Sequence, residues 1–128
     1  MTVKSIINRF HSNSSKLSHT LQSGSKEFGT PVFIPRQQVI DFKYAKPEVN
    51  VWATAASLYY MLTGYYPRNF RGKDIFLEVL RNKPVAIRDR NANIPQKLAE
   101  IINLALVEEP EIYFKNAKGF KQALLSVL

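Results

Sequence analysis

Residues 47–64 decide the fold, and they read PEVNVWATAASLYYMLTG. Between residues 48 and 62, 11 of 15 side chains are apolar, and on a helix they cover every face. Pro47 suits the first position of a helix, and Gly64 suits the residue just past its end. Because a helix that is apolar all round is normally surrounded by protein, this stretch predicts a central buried helix over 47–63.

Three amphipathic segments follow the central helix along the chain. Apolar residues recurring at i, i+3 and i+4 predict helices over 73–82, 95–107 and 117–127. Before the central helix, Pro31 and Pro35 favour an extended loop, and a short helical turn is expected from Arg36 to Asp41. The sequence therefore predicts an all-α fold with long irregular connections.

Residues 1–28 differ in composition from the rest of the chain. Seven serines fall within the first 25 residues, which leaves too little apolar density for a core. Residues Val3 to Phe10 carry apolar side chains at helical spacing, which favours a short helix over 3–10. We therefore expect a flexible Ser-rich basic tail over 1–28 and a helical domain over 29–128. Since no apolar leader follows Met1, we expect a cytoplasmic protein.

The composition excludes several classes of protein. The 128 residues contain no Cys, and their two His, His11 and His19, cannot fill a zinc site alone. No stretch approaches the roughly 18 uncharged apolar residues that a membrane span needs. The sequence also lacks a glycine-rich phosphate loop, a Ser/His/Asp set and a paired-carboxylate site. The acidic residues Glu108, Glu109 and Glu111 are expected to end the helix over 95–107 in water.

Five groups of short motifs occur in an order and spacing that resemble a known family. They are Gly29 to Ile34, Pro47 to Trp52, Leu58 to Gly64, Pro84 to Arg88, and the closing pair of segments between Ala105 and Leu124. Together they resemble the C-terminal lobe of bacterial-type serine/threonine protein kinases, from the substrate-docking loop to the last helix. The resemblance implies that the helix over 47–63 is the buried central helix of that lobe. It also implies a docking loop at Gly29, Thr30, Pro31, Val32 and Phe33.

Several positions depart from the family pattern. The family's Ala-Pro-Glu motif falls on Pro35, Arg36 and Gln37, and the Arg that pairs with its Glu falls on Tyr113. Uncharged residues thus replace both partners of a buried ion pair. Replacing both partners can leave the stability nearly unchanged, whereas losing one partner costs about 3–5 kcal/mol. The Asp that opens the family's central helix is Asn50 here. The chain therefore resembles a degenerate member of the family.

The resemblance does not extend to the catalytic parts. Phosphoryl transfer needs a nucleotide cradle, a Lys on the phosphates, metal-binding Asp and Asn, and an Asp that orients the hydroxyl. The chain has no V-A-I-K, H-R-D or D-F-G motif, and residues 1–15, where D-F-G is expected, contain no Asp. We therefore expect a truncated pseudokinase fragment with a binding or regulatory role, without phosphotransfer, cofactor or metal.

Two surfaces are candidates for a partner. The net charge is +8, and residues 65–94 alone carry +4. By resemblance this segment contains a partner-docking helix, so an acidic protein is expected at Arg68, Arg71, Lys73, Arg81 and Lys83, although a solvated basic face is the simpler explanation. The other candidate is the side of helix 47–63 that the missing parts of the lobe cover in the family. We expect a second copy, another protein, or residues 3–10 to cover it.

Two alternative functions remain open from the sequence. A small helical protein that binds nucleic acid fits the pI of about 9.8 and the aromatic residues Tyr65, Tyr66, Phe70 and Phe76 among arginines. One half of a split kinase, with the other half on a separate chain, is the second alternative. The altered Ala-Pro-Glu motif argues against a working reconstitution.

Overall fold

The computed structural model describes residues 31–41, 43–44, 46–70 and 74–128. Within these ranges the chain is helical and contains no strand, which confirms the all-α prediction for them. A short 3₁₀ helix, Pro31–Phe33, precedes six α-helices. They are α1 (Arg36–Ile40), α2 (Pro47–Thr63), α3 (Ile75–Arg81), α4 (Ile87–Arg90), α5 (Gln96–Ala105) and α6 (Ala117–Ser126). The tail over 1–28, its short helix over 3–10, and the loop residues Gly29 and Thr30 lie outside the described residues.

Helix α2 forms the centre of the fold, and its bounds confirm the prediction of a helix over 47–63. Pro47 occupies its first turn, and Gly64 ends it in the left-handed conformation with φ of 77°. The Gly64 amide donates to the Tyr60 carbonyl and closes the last turn at 2.7 Å. Helices α4, α5 and α6 and the 3₁₀ helix all pack against α2.

Helix α2 is buried for most of its length, and the partner or second copy expected at an uncovered face of helix 47–63 stays a prediction. From Glu48 to Tyr59 the side chains are buried, apart from the half-buried Asn50. The exposed large apolar residues of α2 are Tyr60 at 41% and Met61 at 46%, both in its last turn. The physical reason is that helices from several sides enclose α2, so its apolar faces meet other side chains and not water.

The three later helices form where the apolar spacing predicts them, with small differences at their ends. Helix α3 begins after Asp74, whose carboxylate accepts the Leu77 amide at 3.2 Å. Helix α5 ends at Ala105, two residues before the predicted end, and the Leu106 carbonyl accepts the indole N–H of Trp52 at 3.1 Å. Helix α6 starts after the expected Asn116 cap, which accepts the Gly119 amide at 2.9 Å.

Two short elements differ from the prediction. The loop around Val32 is a 3₁₀ turn rather than an extended segment, because the fixed φ of proline also suits a helical turn. Helix α4 was not predicted, since four residues are too few to show a periodicity. Its first amide, on Ile87, donates to the side chain of Asn103 at 2.9 Å, so a residue of α5 serves as its cap.

Candidate protein-docking site

Four aromatic side chains form a partly exposed cluster, which we call the aromatic patch: Phe33, Tyr60, Tyr66 and Phe70. The rings of Tyr60 and Tyr66 stack with centroids 5.0 Å apart. Phe33 meets both of them edge-on, at 6.4 and 5.8 Å, and Phe70 meets Tyr66 edge-on at 6.3 Å. These are the favourable geometries for aromatic pairs. The patch is therefore an ordered, partly exposed surface of packed aromatic rings.

The end of α2 sets the position of the patch. Because Gly64 adopts a left-handed conformation, the chain reverses there and brings Tyr66 back beside Tyr60. The hydroxyl of Thr63 accepts the Tyr65 amide at 3.0 Å and fixes this turn. The guanidinium of Arg90 lies 4.9 Å from the Tyr65 ring centroid and also donates to Asn69. A cation and an exposed ring thus lie next to the patch.

A buried ion pair lies behind the patch and holds it in place. Arg68 is 2% exposed and Glu108 is 6% exposed. The two terminal nitrogens of Arg68 donate to the two carboxylate oxygens of Glu108 at 2.5 and 2.7 Å. The guanidinium also lies over the ring of Trp52, 4.9 Å from its centroid. A bidentate, water-excluded pair of this kind has a strongly preferred geometry.

The ion pair connects four segments of the chain. Arg68 donates to the carbonyls of Asn82, just after α3, and of Ile34, just after the 3₁₀ helix, at 2.9 and 3.3 Å. Glu108 accepts the backbone amide of Arg36, the first residue of α1, at 2.8 Å. The 3₁₀ helix, α1, α3 and the segment after α5 are thus fixed to one buried pair.

The structure corrects two predictions made from charge. Arg68 does not belong to a basic partner surface, because its charge is buried against Glu108. Glu108 does not end a helix in water, because it is buried against Arg68. Glu109 and Glu111 are exposed, as expected. Of the other predicted surface cations, Arg81 and Lys83 are exposed. Arg71 and Lys73 lie outside the described residues.

Of the positions that depart from the kinase pattern, Arg36 and Gln37 contact Glu108 of the same ion pair. Pro35 is buried and precedes α1, and the side-chain amide of Gln37 donates to the Glu108 carbonyl. Tyr113 is exposed and packs edge-on against Phe114 at 4.9 Å. Asn50 is half-buried on α2. The buried ion pair of this region joins Arg68 and Glu108, which lie 40 positions apart in the sequence. Their distance in sequence explains why no local pattern revealed them.

A second polar network lies at the other end of α2. The Tyr44 hydroxyl donates to the carboxylate of Glu48 at 2.9 Å, and burial and this acceptor raise the Tyr44 pKa. The Lys115 amine lies 3.4 Å from both Glu48 and Glu111. Desolvation lowers the Lys115 pKa, but the hydrogen bonds to the two carboxylates outweigh it and raise the pKa overall. This network joins α2 to the segment before α6.

The described residues offer little for small-molecule or metal chemistry. A cavity of about 290 Å³ lies between the Pro84–Ala86 segment and the end of α5, lined in part by Asn103 and Glu108. Its volume is at the small end of the range for ligand pockets. Both polar side chains are already hydrogen-bonded, Asn103 to the first amide of α4 and Glu108 to Arg68. Across the described ranges no group of three His, Asp or Glu side chains is placed to hold a metal ion. No helix in these ranges is long and apolar enough to cross a bilayer.

No protein-family model matches the sequence, and no curated protein matches it significantly.

Proposed function

We propose that the chain is a serine/threonine protein kinase-like C-lobe remnant that binds extended protein segments and does not transfer phosphate. The observation that carries the proposal is the aromatic patch. It contains Phe33 from the docking loop inferred by resemblance, together with two exposed tyrosines. Binding therefore uses the part of the lobe that the motifs retain, and the missing catalytic motifs are not needed for it.

The chemistry of the patch suits an extended segment with an apolar side chain. Tyr and Phe rings offer a large contact area at a small entropy cost, since each has only two side-chain torsions. The hydroxyls of Tyr60 and Tyr66 add hydrogen-bonding capacity beside that apolar surface. Arg90, over the nearby Tyr65 ring, adds a positive charge that favours acidic residues next to the apolar one.

The buried ion pair supports the proposal by fixing the patch before a partner arrives. Arg68 holds the carbonyl of Ile34, one residue after Phe33, and Glu108 holds the amide of Arg36. A surface that is already ordered loses less entropy on binding. We therefore expect the 3₁₀ helix to keep its position whether or not a partner is bound.

Selection from a displayed library of random peptides tests the proposal. We expect the full chain to select peptides with an apolar residue flanked by acidic residues. Binding measured by fluorescence polarisation should fall at least tenfold in Tyr66→Ser. Leu125→Ser, at an exposed apolar position on α6, is the matched control and should bind as the parent does. Peptides that bind Tyr66→Ser and the parent equally would contradict the proposed site.

The nucleic-acid alternative rests on the pairing of Arg90 with the exposed Tyr65, an arrangement on which a base can stack. The burial of Arg68 removes one cation from the surface that this alternative uses. Binding of single-stranded oligonucleotides that weakens steeply as salt rises would favour it over the peptide proposal.

A further inference from the structure

Helix α3 presents an unusual number of apolar side chains to water. Of its seven residues, Ile75, Phe76, Leu77 and Leu80 are each 38–39% exposed, and Val79 is the buried one. The neighbouring helix α1 packs against α3 and ends in Ile40, which is 65% exposed. Exposed apolar side chains grouped on one short helix are typical of an interaction site.

The exposed side chains of α3 share one face. Phe76, Leu77 and Leu80 fall at i, i+1 and i+4, so they lie together on the helix surface. Asp74, the cap residue, and Arg81, the last residue, are seven positions apart. Because seven residues make about two turns, these two charges lie along the same edge of that face, about 10 Å apart. Both residues are exposed.

This arrangement is complementary to itself. When a second copy of α3 packs antiparallel against the first, a two-fold axis between the two helices, level with their midpoints, relates the copies and places the end of one helix beside the start of the other. Arg81 of each copy then faces Asp74 of the other along the same edge, and the apolar residues meet between them. The helix dipoles also run in opposite directions. A two-fold interface requires a surface that complements itself in this way.

We propose that the chain self-associates as a two-fold dimer through the apolar face of α3. The occupant of the face is a second copy, because a single helix supplies both the apolar contact and the matching charges at its two ends. A helix of seven residues buries less than the roughly 800 Å² per partner of a stable complex, so the association is weak and reversible. The proposal does not depend on the kinase resemblance or on the aromatic patch.

Sedimentation velocity of the full chain between about 10 and 500 µM tests the proposal. The average mass should rise from 14.7 kDa toward twice that value as concentration increases. Leu77→Glu should abolish the rise because it places a charge at the centre of the interface. Leu125→Glu, on the exposed side of α6, is the control and should leave the association unchanged. If Leu77→Glu fails to fold by circular dichroism, Leu80→Lys tests the same face.

A second pair of variants tests the charges. Asp74→Asn retains a capping side chain, and Arg81→Gln removes the opposite charge; each should weaken dimerisation several-fold and reduce its dependence on salt. A 14.7 kDa species at every concentration would overturn the proposal. Association that survives Leu77→Glu would place the interface elsewhere and overturn it as well. A monomer whose α3 amides exchange slowly with solvent would mean that another part of the chain covers the face. That result would also overturn the proposal.

Discussion

Removal of one partner from the Arg68–Glu108 pair should strongly destabilise the fold. In Glu108→Gln the side chain keeps its shape and loses its charge, so Arg68 remains buried without a counter-ion. In Arg68→Met the Glu108 carboxylate keeps only the Arg36 amide among the donors described above. Breaking a buried pair from one side costs about 3–5 kcal/mol, equivalent to a fall in Tm of about 10–20 °C for a chain of this size.

The double variant separates the ion pair from simple loss of packing. Arg68→Met with Glu108→Leu removes both charges and keeps most of the apolar volume, so we expect a cost well below the sum of the single costs. Urea denaturation followed by Trp52 fluorescence is the assay, because Trp52 is the chain's single tryptophan and lies under Arg68. The exposed pair Arg36–Glu109 is the control, and Glu109→Gln should cost at most about 1 kcal/mol. Single variants that cost less than about 1 kcal/mol, or costs that simply add, would refute the reasoning.

The remaining predictions concern the central helix and the ionisable groups. Trp52→Ala should cost about 3–5 kcal/mol in urea denaturation followed by circular dichroism, since it empties a fully buried site; stability equal to the parent would remove Trp52 from the core. Gly64→Ala should cost about 1–2 kcal/mol from backbone strain alone, because no atom lies within 4 Å of a Cβ placed there; an unchanged urea midpoint would contradict this. Stability should fall as pH rises above about 10, since burial raises the pKa of Tyr44 and of Tyr59 and the folded state keeps protons that the unfolded state releases. Urea midpoints at pH 8 and pH 10.5 test this, and Tyr59→Phe should reduce the difference between them.

Local sequence patterns predicted the helices well because their causes are local. Pro47 and Gly64 mark the two ends of α2 through the fixed φ of proline and the freedom of glycine at positive φ. Asn116 marks the start of α6 through a hydrogen bond to an amide three residues later. Helix α4 escaped prediction because its four residues show no periodicity and because its cap, Asn103, comes from a different helix.

The candidate site was predicted less completely, because its chemistry depends on residues far apart in the sequence. Phe33 belonged to the expected docking loop, but its contacts with Tyr60 and Tyr66 depend on how the chain turns after Gly64. Arg68 and Glu108 looked like ordinary surface charges among other charges in the sequence. Only the packing of α2 against the segments around it shows that they are buried together.

Isothermal titration calorimetry of the full chain with Mg-ATP tests the central claim most directly. The proposal is that the chain is a kinase-like lobe that binds protein segments and lacks the residues that hold nucleotide and metal for phosphoryl transfer. We predict no heat of binding beyond dilution at up to millimolar Mg-ATP. A stoichiometric site with micromolar affinity would contradict the account.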